Sequence, residues 1–433
     1  MASFIKDLFS VGISKIVIIA CSIGSGIITA RWLGPEANGI IAALIVYPSL
    51  FLTFGSLGVS QSAAHFIGKG QFSEQNIKTS ITQIWFLTTI VSIIVSFILM
   101  RYFSNSGKEL LWVLLAIMPI PFTLFIKYNS GIFLGKNQIG IYNKINWIPK
   151  AVAFLAIILL VIPLSMHISG VLLASIIGPL IMFFILLFRN DFIKAFSLNF
   201  NWKIIKSILS LGVVYSLSLL VINLNYRVDI VMLDQLSTPF NIGIYSKGVS
   251  IVDFLWEIPM LLSTIVFARS ANAKDGLEFS KKVAQLLRLS IIVIGLGSVL
   301  LTLFAKYIIL IMYGDAFINS TRVMQLLMPG VLLLTIFKVL NQDLAGKGKP
   351  WVSMKAMLPA LLINIVLNFI LIPKYGANGS SIASTISYSF ATLLFLYFYS
   401  KEVKIPIKEI FSFSKEDFNP IKLALEKIMK KNS

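Results

Sequence analysis

Residues 162–175, IPLSMHISGVLLAS, and residues 372–384, IPKYGANGSSIAS, share an Ile-Pro pair, a glycine and an Ala-Ser pair in the same order. Two further sets recur in the same order, 200 and 211 positions apart: Ile5, Lys6, Ser10 and Gly12 match Ile205, Lys206, Ser210 and Gly212, and Lys127, Gly135 and Lys136 match Lys338, Gly346 and Lys347. These matches predict that the second half of the chain repeats the first. Such repeats are typical of transporters whose halves rock against each other around a site between them.

The composition excludes an ordinary water-soluble protein. Apolar residues make up 57% of the 433 residues and charged residues only 13%, whereas soluble proteins carry about 25% charge. The apolar residues form runs near 20 residues, the length that crosses a bilayer as a helix. One cysteine, Cys21, excludes a disulfide framework, and two histidines argue against a histidine metal cluster. The first run lacks a cleavage site and is predicted to be a retained helix.

The apolar runs predict an all-α membrane protein with twelve transmembrane helices in two pseudo-symmetric six-helix bundles. We expect the N-terminal bundle at residues 1–195, the C-terminal bundle at 196–400 and a cytoplasmic basic tail at 401–433. Pro119 and Pro329 occupy matching positions inside predicted spans, where they either are tolerated by packing or bend moving helices. The predicted spans are 8–30, 40–61, 80–100, 110–131, 147–166, 169–188, 207–228, 246–268, 285–305, 323–344, 352–373 and 379–400.

The basic residues predict the orientation in the membrane. Of the 37 Lys and Arg residues, 28 lie at the N-terminus, at alternate connections and in the tail, and 8 lie at the opposite connections. Positive loops stay in the cytoplasm, so both termini are predicted to be cytoplasmic. The net charge of +19 is therefore an orientation signal, and no nucleic-acid partner is expected. From Pro420 onward the tail resembles a basic amphipathic helix on an anionic membrane surface.

Ionisable side chains inside spans are the candidate functional residues, because burying a charge in a bilayer is costly. We expect the cations to line a cavity and bind substrate, although a long side chain near a span end can also reach the interface. The acids are candidates for ion coupling or for a buried ion pair. The cations are Lys15, Arg31, Lys127, Arg227 and Lys338, and the acids are Asp229, Asp253 and Glu257.

Two polar groupings refine this expectation. Asp253 and Glu257 are four residues apart and would share one face of a helix near mid-membrane. Two free carboxylates there are unfavourable, so one is protonated, or they pair with a cation of the protein, or they bind H+ or Na+. Asn223, Asn225 and Tyr226 interrupt an apolar run and are predicted to line an interior cavity. No other cofactor is expected.

Three stretches resemble the polysaccharide flippases of the multidrug/oligosaccharidyl-lipid/polysaccharide exporter superfamily. They are ARWLGPEANGIIAALIVYPSLFLTFGSLGVSQSAAHFIGKG at 30–70, NYRVDIVMLDQLSTPFNIGIYSKGVSIVDFLWEIP at 225–259 and LNQDLAGKGKPWVSMKAMLPALLINIVLNFILIPKYGANGSSIAS at 340–384. The most specific feature is Arg-x-Asp at 227–229 before a long outer turn that ends in Gly-Ile-Tyr at 243–245. The resemblance implies a V-shaped pair of bundles that flips undecaprenyl-diphosphate-linked oligosaccharide, an O-antigen or capsule repeat unit, to the outer leaflet.

The resemblance also implies a bacterial inner-membrane transporter without enzyme activity. Its expected partners are the lipid-linked oligosaccharide, membrane lipids, and a polysaccharide polymerase with its chain-length machinery. Two alternatives stay open at this point, besides the nearer option of a peptidoglycan-precursor flippase, a type that usually has more helices than are predicted here. One is a cation-coupled multidrug exporter of the same superfamily, which would use its acidic residues. The other is a membrane-embedded polysaccharide polymerase or ligase, against which the short predicted external loops and the repeat argue.

Overall fold

The computed structural model describes residues 2–136, 138–190, 192–197, 200–257, 260, 266–267, 269–270, 273, 275–414 and 417. The side chains of residues 2–11, 139, 193, 214 and 215 are outside that description. Two short 3₁₀ helices, Ile193–Ala195 and Asp315–Phe317, accompany the α-helices. No strand occurs among the described residues, which confirms the prediction of an all-α protein.

Fourteen α-helices lie in the described part of the chain. In chain order, α1 to α14 are Ala2–Gly55, Val59–Gly68, Glu74–Phe103, Leu110–Ile117, Pro119–Gly135, Ile139–Asn146, Ile148–Val161, His167–Arg189, Trp202–Leu236, Pro239–Leu255, Gly276–Tyr313, Ser320–Gly346, Trp351–Val403 and Ile407–Ile410.

Nine helical ranges of the described residues are long and apolar enough to cross a membrane. The first of them, Gly12–Gly68, and the last, α13, are each interrupted by a glycine with non-helical backbone angles, and each is long enough for two crossings. The nine ranges therefore provide eleven crossings. The remaining predicted span, 246–268, runs into residues outside the described part. The twelve-helix prediction agrees with this architecture.

The break inside α1 occurs at Gly34, which has φ 73° and ψ 179°. A residue with a side chain rarely adopts such a φ, so glycine is required there. The amide of Asn38 holds the two sides of the break together, because its Nδ2 donates to Thr29 O and to Gly34 O, both at 2.7 Å. This side chain satisfies carbonyls that the helix leaves free where it breaks. Predicted spans 1 and 2 are therefore joined without a loop.

The repeat-related prolines behave differently. Helix α4 ends at Ile117, and Pro119 begins α5, so the predicted fourth span consists of two helices. In contrast, Pro329 lies inside the continuous helix α12. There Thr385 Oγ1 donates to Leu326 O at 2.6 Å, one turn before the proline. A neighbouring hydroxyl of this kind replaces a backbone bond and allows the helix to continue.

The structure corrects one expectation about the stretch 225–259. A long outer turn ending at 243–245 was predicted, but α10 already begins at Pro239, and only Ser237 and Thr238 separate it from α9. Proline is favoured in the first turn of a helix, and Thr238 Oγ1 accepts from Asn241 N at 3.4 Å. Helix α9 also extends to Leu236, whereas its span was predicted to end at 228. Residues 243–245 are thus helical.

The described contacts divide the chain into two compact units. Unit 1 comprises residues 1–247 and 309–319, and unit 2 comprises residues 248–308 and 320–433. Both α10 and α11 contribute residues to each unit. The two six-helix bundles at 1–195 and 196–400 were predicted from the repeat in the sequence, and they stay a prediction.

Close backbone contacts bring the helices of unit 1 together. A Cβ atom on Gly212 of α9 would lie 2.1 Å from Leu57 O, and one on Gly243 of α10 would lie 2.0 Å from Pro35 O. Such distances leave no room for a side chain. Gly243 therefore allows α10 to approach the start of the second half of α1, and Gly212 allows α9 to approach the turn after its end. These contacts place polar residues of α9 and α10 inside unit 1.

Candidate functional site

Lys127 on α5 binds a helix end within unit 1. Its Nζ donates to Leu52 O at 3.2 Å, and Tyr128 Oη donates to Gly55 O at 2.5 Å. Helix α1 ends at Gly55, so these carbonyls belong to its last turn and lack intrahelical partners. A cation at a helix C-terminus is also favoured by the helix dipole. The ammonium of Lys127 is thus held inside unit 1 by neutral oxygen.

Arg31 makes the same kind of contact at another helix end. Its Nη2 donates to Ile311 O at 2.5 Å and its Nε to Met312 O at 3.2 Å. Helix α11 ends at Tyr313, so both carbonyls lie in its last turn. Arg31 also lines an open cavity of about 560 Å³ in unit 1 together with Tyr313.

Lys247 is a buried cation that the sequence analysis missed. It is only 7% exposed, and its Nζ donates to Gly26 O at 3.0 Å and to Thr29 Oγ1 at 2.9 Å. The ammonium also lies 5.3 Å from the centre of the Tyr313 ring. Lys247 is the second residue of the predicted span 246–268, and it was therefore counted with the loop before that span. The Pro239 start signal would have placed Lys247 in the third turn of a helix.

The polar stretch of α9 is partly buried, and its lining of a cavity stays a prediction. Asn225 and Asp229 are fully buried, whereas Asn223, Tyr226 and Arg227 are half-buried. Asp229 Oδ2 accepts from Tyr245 Oη at 2.7 Å. The two residues belong to the motifs Arg-x-Asp and Gly-Ile-Tyr, so the structure brings together the two parts of the most specific sequence feature.

Asp234 is a second buried group that the sequence analysis missed. It is 1% exposed, and its carboxylate accepts from Ser104 Oγ at 2.6 Å and from Ser106 Oγ at 2.7 Å. The Ser106 amide and Tyr47 Oη also donate to it, at 3.2 Å and 3.5 Å. Asp234 was placed beyond the end of its span. Its contacts attach α9 to the connection between α3 and α4.

In unit 2, Lys338 lies over an aromatic ring. Its Nζ is 3.8 Å from the centre of the Trp256 ring, a cation–π contact. Trp256 Nε1 in turn donates to Val331 O at 3.3 Å. Lys127, the repeat-matched partner of Lys338, donates to Leu52 O.

Asp253 and Glu257 do not lie on one continuous helix. Helix α10 ends at Leu255, and Trp256 N bonds to Asp253 O at 3.1 Å, three residues back rather than four. Both carboxylates are half-buried in unit 2. The argument from helical spacing therefore does not apply to this pair, and the suggested ion-coupling role stays a prediction. Lys15 is half-buried on α1.

The other repeat-matched lysines are paired with acids. Lys136 Nζ lies 3.1 Å from Glu74 Oε2 in unit 1, and Lys347 Nζ lies 3.0 Å from Asp343 Oδ2 in unit 2. Asp343 is fully buried and also accepts from Ser270, Ser280 and Tyr399 hydroxyls, at 2.5, 2.6 and 2.8 Å. These lysines complete structural networks, so we do not count them as site residues.

Arg31, Lys127 and Lys247 differ from those lysines in one respect. Within the described part of unit 1, none of the three forms an ion pair with a carboxylate, and their hydrogen-bond acceptors are carbonyls and one hydroxyl. Neutral acceptors stabilise a cation without cancelling its charge. The three side chains thus keep their net positive charge within unit 1. The described residues contain no group of acids, histidines and cysteines that could hold a metal ion.

Comparison with known proteins identifies the family. Residues 4–269 match the family described as polysaccharide biosynthesis protein, and because this match covers more than half of the chain, the protein belongs to that family. Residues 214–370 also match the MatE family. The chain is 24% identical over 402 residues to a Shigella flexneri protein named for O-antigen transport, covering 86% of this chain and 92% of that protein.

Solved structures support the same fold. The lipid II flippase MurJ in an inward closed conformation superimposes with a TM-score of 0.75 at 17% identity, over 92% of this chain and 88% of that chain. A multidrug resistance transporter of the MATE family, in an inward-facing conformation, gives 0.73 at 14% identity, over 90% and 95%. The predicted resemblance to polysaccharide flippases of this superfamily is confirmed, and the relatives are transporters rather than enzymes.

Proposed function

We propose that the protein moves an undecaprenyl-diphosphate-linked oligosaccharide from the cytoplasmic to the outer leaflet by alternating access. The substrate would be an O-antigen or capsule repeat unit. The family membership supports this proposal, and so does the name of the Shigella flexneri relative. The fold shared with MurJ and with a MATE transporter supports a transport mechanism.

The observation that carries the proposal is the pair of cations in unit 1, Lys127 and Lys247, that bond to neutral oxygens. A charge inside the membrane is costly and marks a functional pathway by default. Because these cations meet no carboxylate in the described part of unit 1, a passing diphosphate would supply the missing negative charge. A cationic drug would instead be repelled. We propose that Lys15, Arg31, Arg227 and Lys338 also bind the substrate.

The ion requirement is a separate part of the proposal. Asp229, Asp253 and Glu257 would bind H+ or Na+ during the transport cycle, or would form ion pairs that hold the protein together. We place the protein in the bacterial inner membrane with both termini in the cytoplasm. There it would pass its substrate to a polysaccharide polymerase and its chain-length machinery.

The test is a reconstituted transport assay on the full chain. Proteoliposomes would contain undecaprenyl diphosphate carrying the repeat unit of the source cell, and its appearance in the opposite leaflet would be measured with an impermeant lectin. The double variant Lys127→Ala, Lys338→Ala should transport at least about tenfold more slowly, because each lost charge removes roughly 1.7 kcal/mol at 10 Å and an effective dielectric constant of about 20.

The exposed Lys306 provides the control, since Lys306→Ala removes a lysine from the surface of α11. It should transport at the parental rate. A double variant that transports as fast as the parent would show that Lys127 and Lys338 only stabilise their helices. The match of residues 214–370 to the MatE family makes a multidrug exporter the second candidate. Efflux of ethidium by the same proteoliposomes, without movement of the lipid-linked oligosaccharide, would establish that candidate instead.

A further inference from the structure

The open cavity of unit 1 combines side chains that suit a sugar. It measures about 560 Å³, and Arg31, Trp32, Tyr313 and Asp315 all line it. This volume lies within the range of about 300–1,000 Å³ that is usual for small-molecule sites. The cavity lies beside the break at Gly34, at the end of the first half of α1 that is opposite the N-terminus. In the proposed topology it opens on the outer side of the membrane.

The backbone around the cavity is held in place from both sides. Asn38 is buried and bonds across the break at Gly34, and Lys247 bonds to Thr29 in the turn before the cavity. On the other side, Gly314 ends α11 with a φ of 87°. Arg31 connects the two sides through Ile311 O and Met312 O. The cavity is therefore a preformed site and not a gap between mobile loops.

Arg31 and Asp315 supply opposite halves of a hydrogen-bonding pattern. A guanidinium has five N–H donors, and the two backbone contacts of Arg31 use two of them. Asp315 is exposed and forms no ion pair within the described residues. A carboxylate can only accept hydrogen bonds. Neighbouring hydroxyls of a sugar can both donate and accept, so they can bind Asp315 and Arg31 at the same time.

The mixture of charges argues against other ligands. A diphosphate in this cavity would be repelled by Asp315, and a cationic drug would be repelled by Arg31. A neutral polyol avoids both repulsions. Trp32 adds an aromatic ring that is 51% exposed although it carries the largest side chain of the cavity. Aromatic rings offer a flat apolar surface on which the C–H face of a sugar can stack.

We propose that this cavity is a subsite for the oligosaccharide part of the lipid-linked substrate, with Trp32 as the stacking platform and Arg31 and Asp315 as hydroxyl partners. This inference rests on the proposed function. It adds a second contact region to the cations that bind the diphosphate, and it makes the transport rate depend on the glycan. Stacking on Trp32 would make transport of a lipid that carries a long glycan faster than transport of one that carries a single sugar.

The experiment compares two lipid-linked probes in proteoliposomes of the full chain. One probe is undecaprenyl diphosphate carrying a single N-acetylglucosamine, and the other carries the complete repeat unit of the source cell. For Trp32→Ala, the ratio of the two transport rates, complete unit over single sugar, should fall by about threefold to tenfold, the range expected for loss of an aromatic contact. Trp32→Tyr should retain most of the ratio, and Asp315→Asn should lower it.

Trp202 is the matched control. It is 71% exposed, stacks on Phe200 with ring centres 5.9 Å apart, and does not line the cavity. Trp202→Ala should leave the ratio unchanged. The inference is overturned if Trp32→Ala leaves the ratio unchanged, whether both transport rates are retained or both fall equally. Trp32 would then be an interfacial anchor only. If the parent protein moves neither probe, the proposed function fails first, and this inference fails with it.

Discussion

Among single residues, two of the candidate cations bind carbonyls at helix ends, and Lys247 binds a carbonyl inside a helix. Arg31 binds carbonyls of the last turn of α11, and Lys127 binds a carbonyl of the last turn of α1. Lys247 binds a carbonyl two turns before the break at Gly34. Carbonyls at helix ends have no intrahelical partner and carry partial negative charge. They can therefore hold a cation in place and leave its net charge for a substrate.

The effect of Lys247 on transport can be measured separately from its effect on folding. Lys247→Met keeps a long unbranched side chain and removes the ammonium. Because a buried charge without a carboxylate partner is costly to desolvate, we expect the melting temperature in detergent to be the same or higher. Transport of the lipid-linked oligosaccharide should fall by about tenfold, because a unit charge at 10 Å contributes roughly 1.7 kcal/mol.

Lys306→Met is the control for this prediction, because Lys306 is exposed on α11. It should change neither the melting temperature nor transport. If Lys247→Met transports at the parental rate, Lys247 only joins α10 to α1, and the positive cavity has to be built from the remaining cations.

Glu257 is the residue on which the ion-coupling proposal depends. We expect Glu257→Gln to slow transport and to flatten its dependence on pH or on sodium, with substrate binding largely retained, because an amide cannot exchange a proton or balance a cation. Transport rates measured across a pH series and a sodium series test this. Glu109→Gln, at an exposed carboxylate, is the control. The same ion dependence in Glu257→Gln and the parent would leave Glu257 a structural role.

At the scale of helices, glycine contacts determine how closely α9 approaches the turn after α1. A Cβ atom on Gly212 would lie 2.1 Å from Leu57 O, whereas one on its repeat-related partner Gly12 would have nothing within 4 Å. Gly212→Ala should therefore lower stability by about 1–3 kcal/mol, as overpacking does. Gly12→Ala should be neutral or stabilising by up to about 1 kcal/mol, because alanine favours a helix.

The melting temperatures of the two glycine variants in detergent are compared directly, with size-exclusion chromatography used to monitor unfolding. The same substitution at matched positions of the repeat should give opposite signs. Equal melting temperatures for both variants would mean that α9 can move away from the turn at no cost.

A buried ion pair attaches the segment after α13 to α11 in unit 2. Arg288 Nε and Nη2 donate to the two carboxylate oxygens of Asp417 at 2.8 Å and 2.6 Å, and Arg288 Nη1 donates to Ile410 O at 2.9 Å. The bonds from Arg288 lower the pKa of Asp417 below its ordinary 3.8. The stabilisation is therefore complete above pH 3.8 and is lost as the pH falls through the lower pKa.

We expect Asp417→Asn to release this segment at every pH at which the carboxylate is charged. Limited trypsin digestion near Lys404 at pH 7 should become at least about tenfold faster, since breaking a buried pair costs about 3–5 kcal/mol. For the parent, the digestion rate corrected for the pH dependence of trypsin itself should not change between about pH 5 and 8. Glu278→Gln removes an exposed pair with Lys282, in which both side chains are 64% exposed, and should have little effect. Equal digestion of Asp417→Asn and the parent would contradict the attachment.

At the scale of the whole molecule, the distribution of basic residues predicts the topology. Reporter fusions after residues 190 and 402 should both report a cytoplasmic location, because 28 of the 37 basic residues lie on that side in the predicted arrangement. An alkaline phosphatase signal from either fusion would contradict it. Signals from both fusions would indicate an inverted topology, which would place the sugar subsite proposed beside Trp32 on the cytoplasmic side.

The class of protein, the all-α architecture and the family could be predicted without a structure, because apolar runs and repeated motifs are visible directly in the amino-acid sequence. Lys127, Asp229 and Arg31 also stood out there as unusual charges. What those charges bind depends on how the helices pack, since Leu52, Tyr245 and Ile311 are distant from them in sequence or lie on another helix.

The positions of the helix ends likewise depended on the tertiary structure. Apolar runs reflect the thickness of the membrane, whereas a helix continues until a cap, a proline or a glycine ends it. Lys247 and Asp234 were missed for this reason, because α10 begins earlier and α9 ends later than their apolar runs. The end of α10 between Asp253 and Glu257 was missed for the same reason. A spacing of four residues indicates a shared face only while the helix continues.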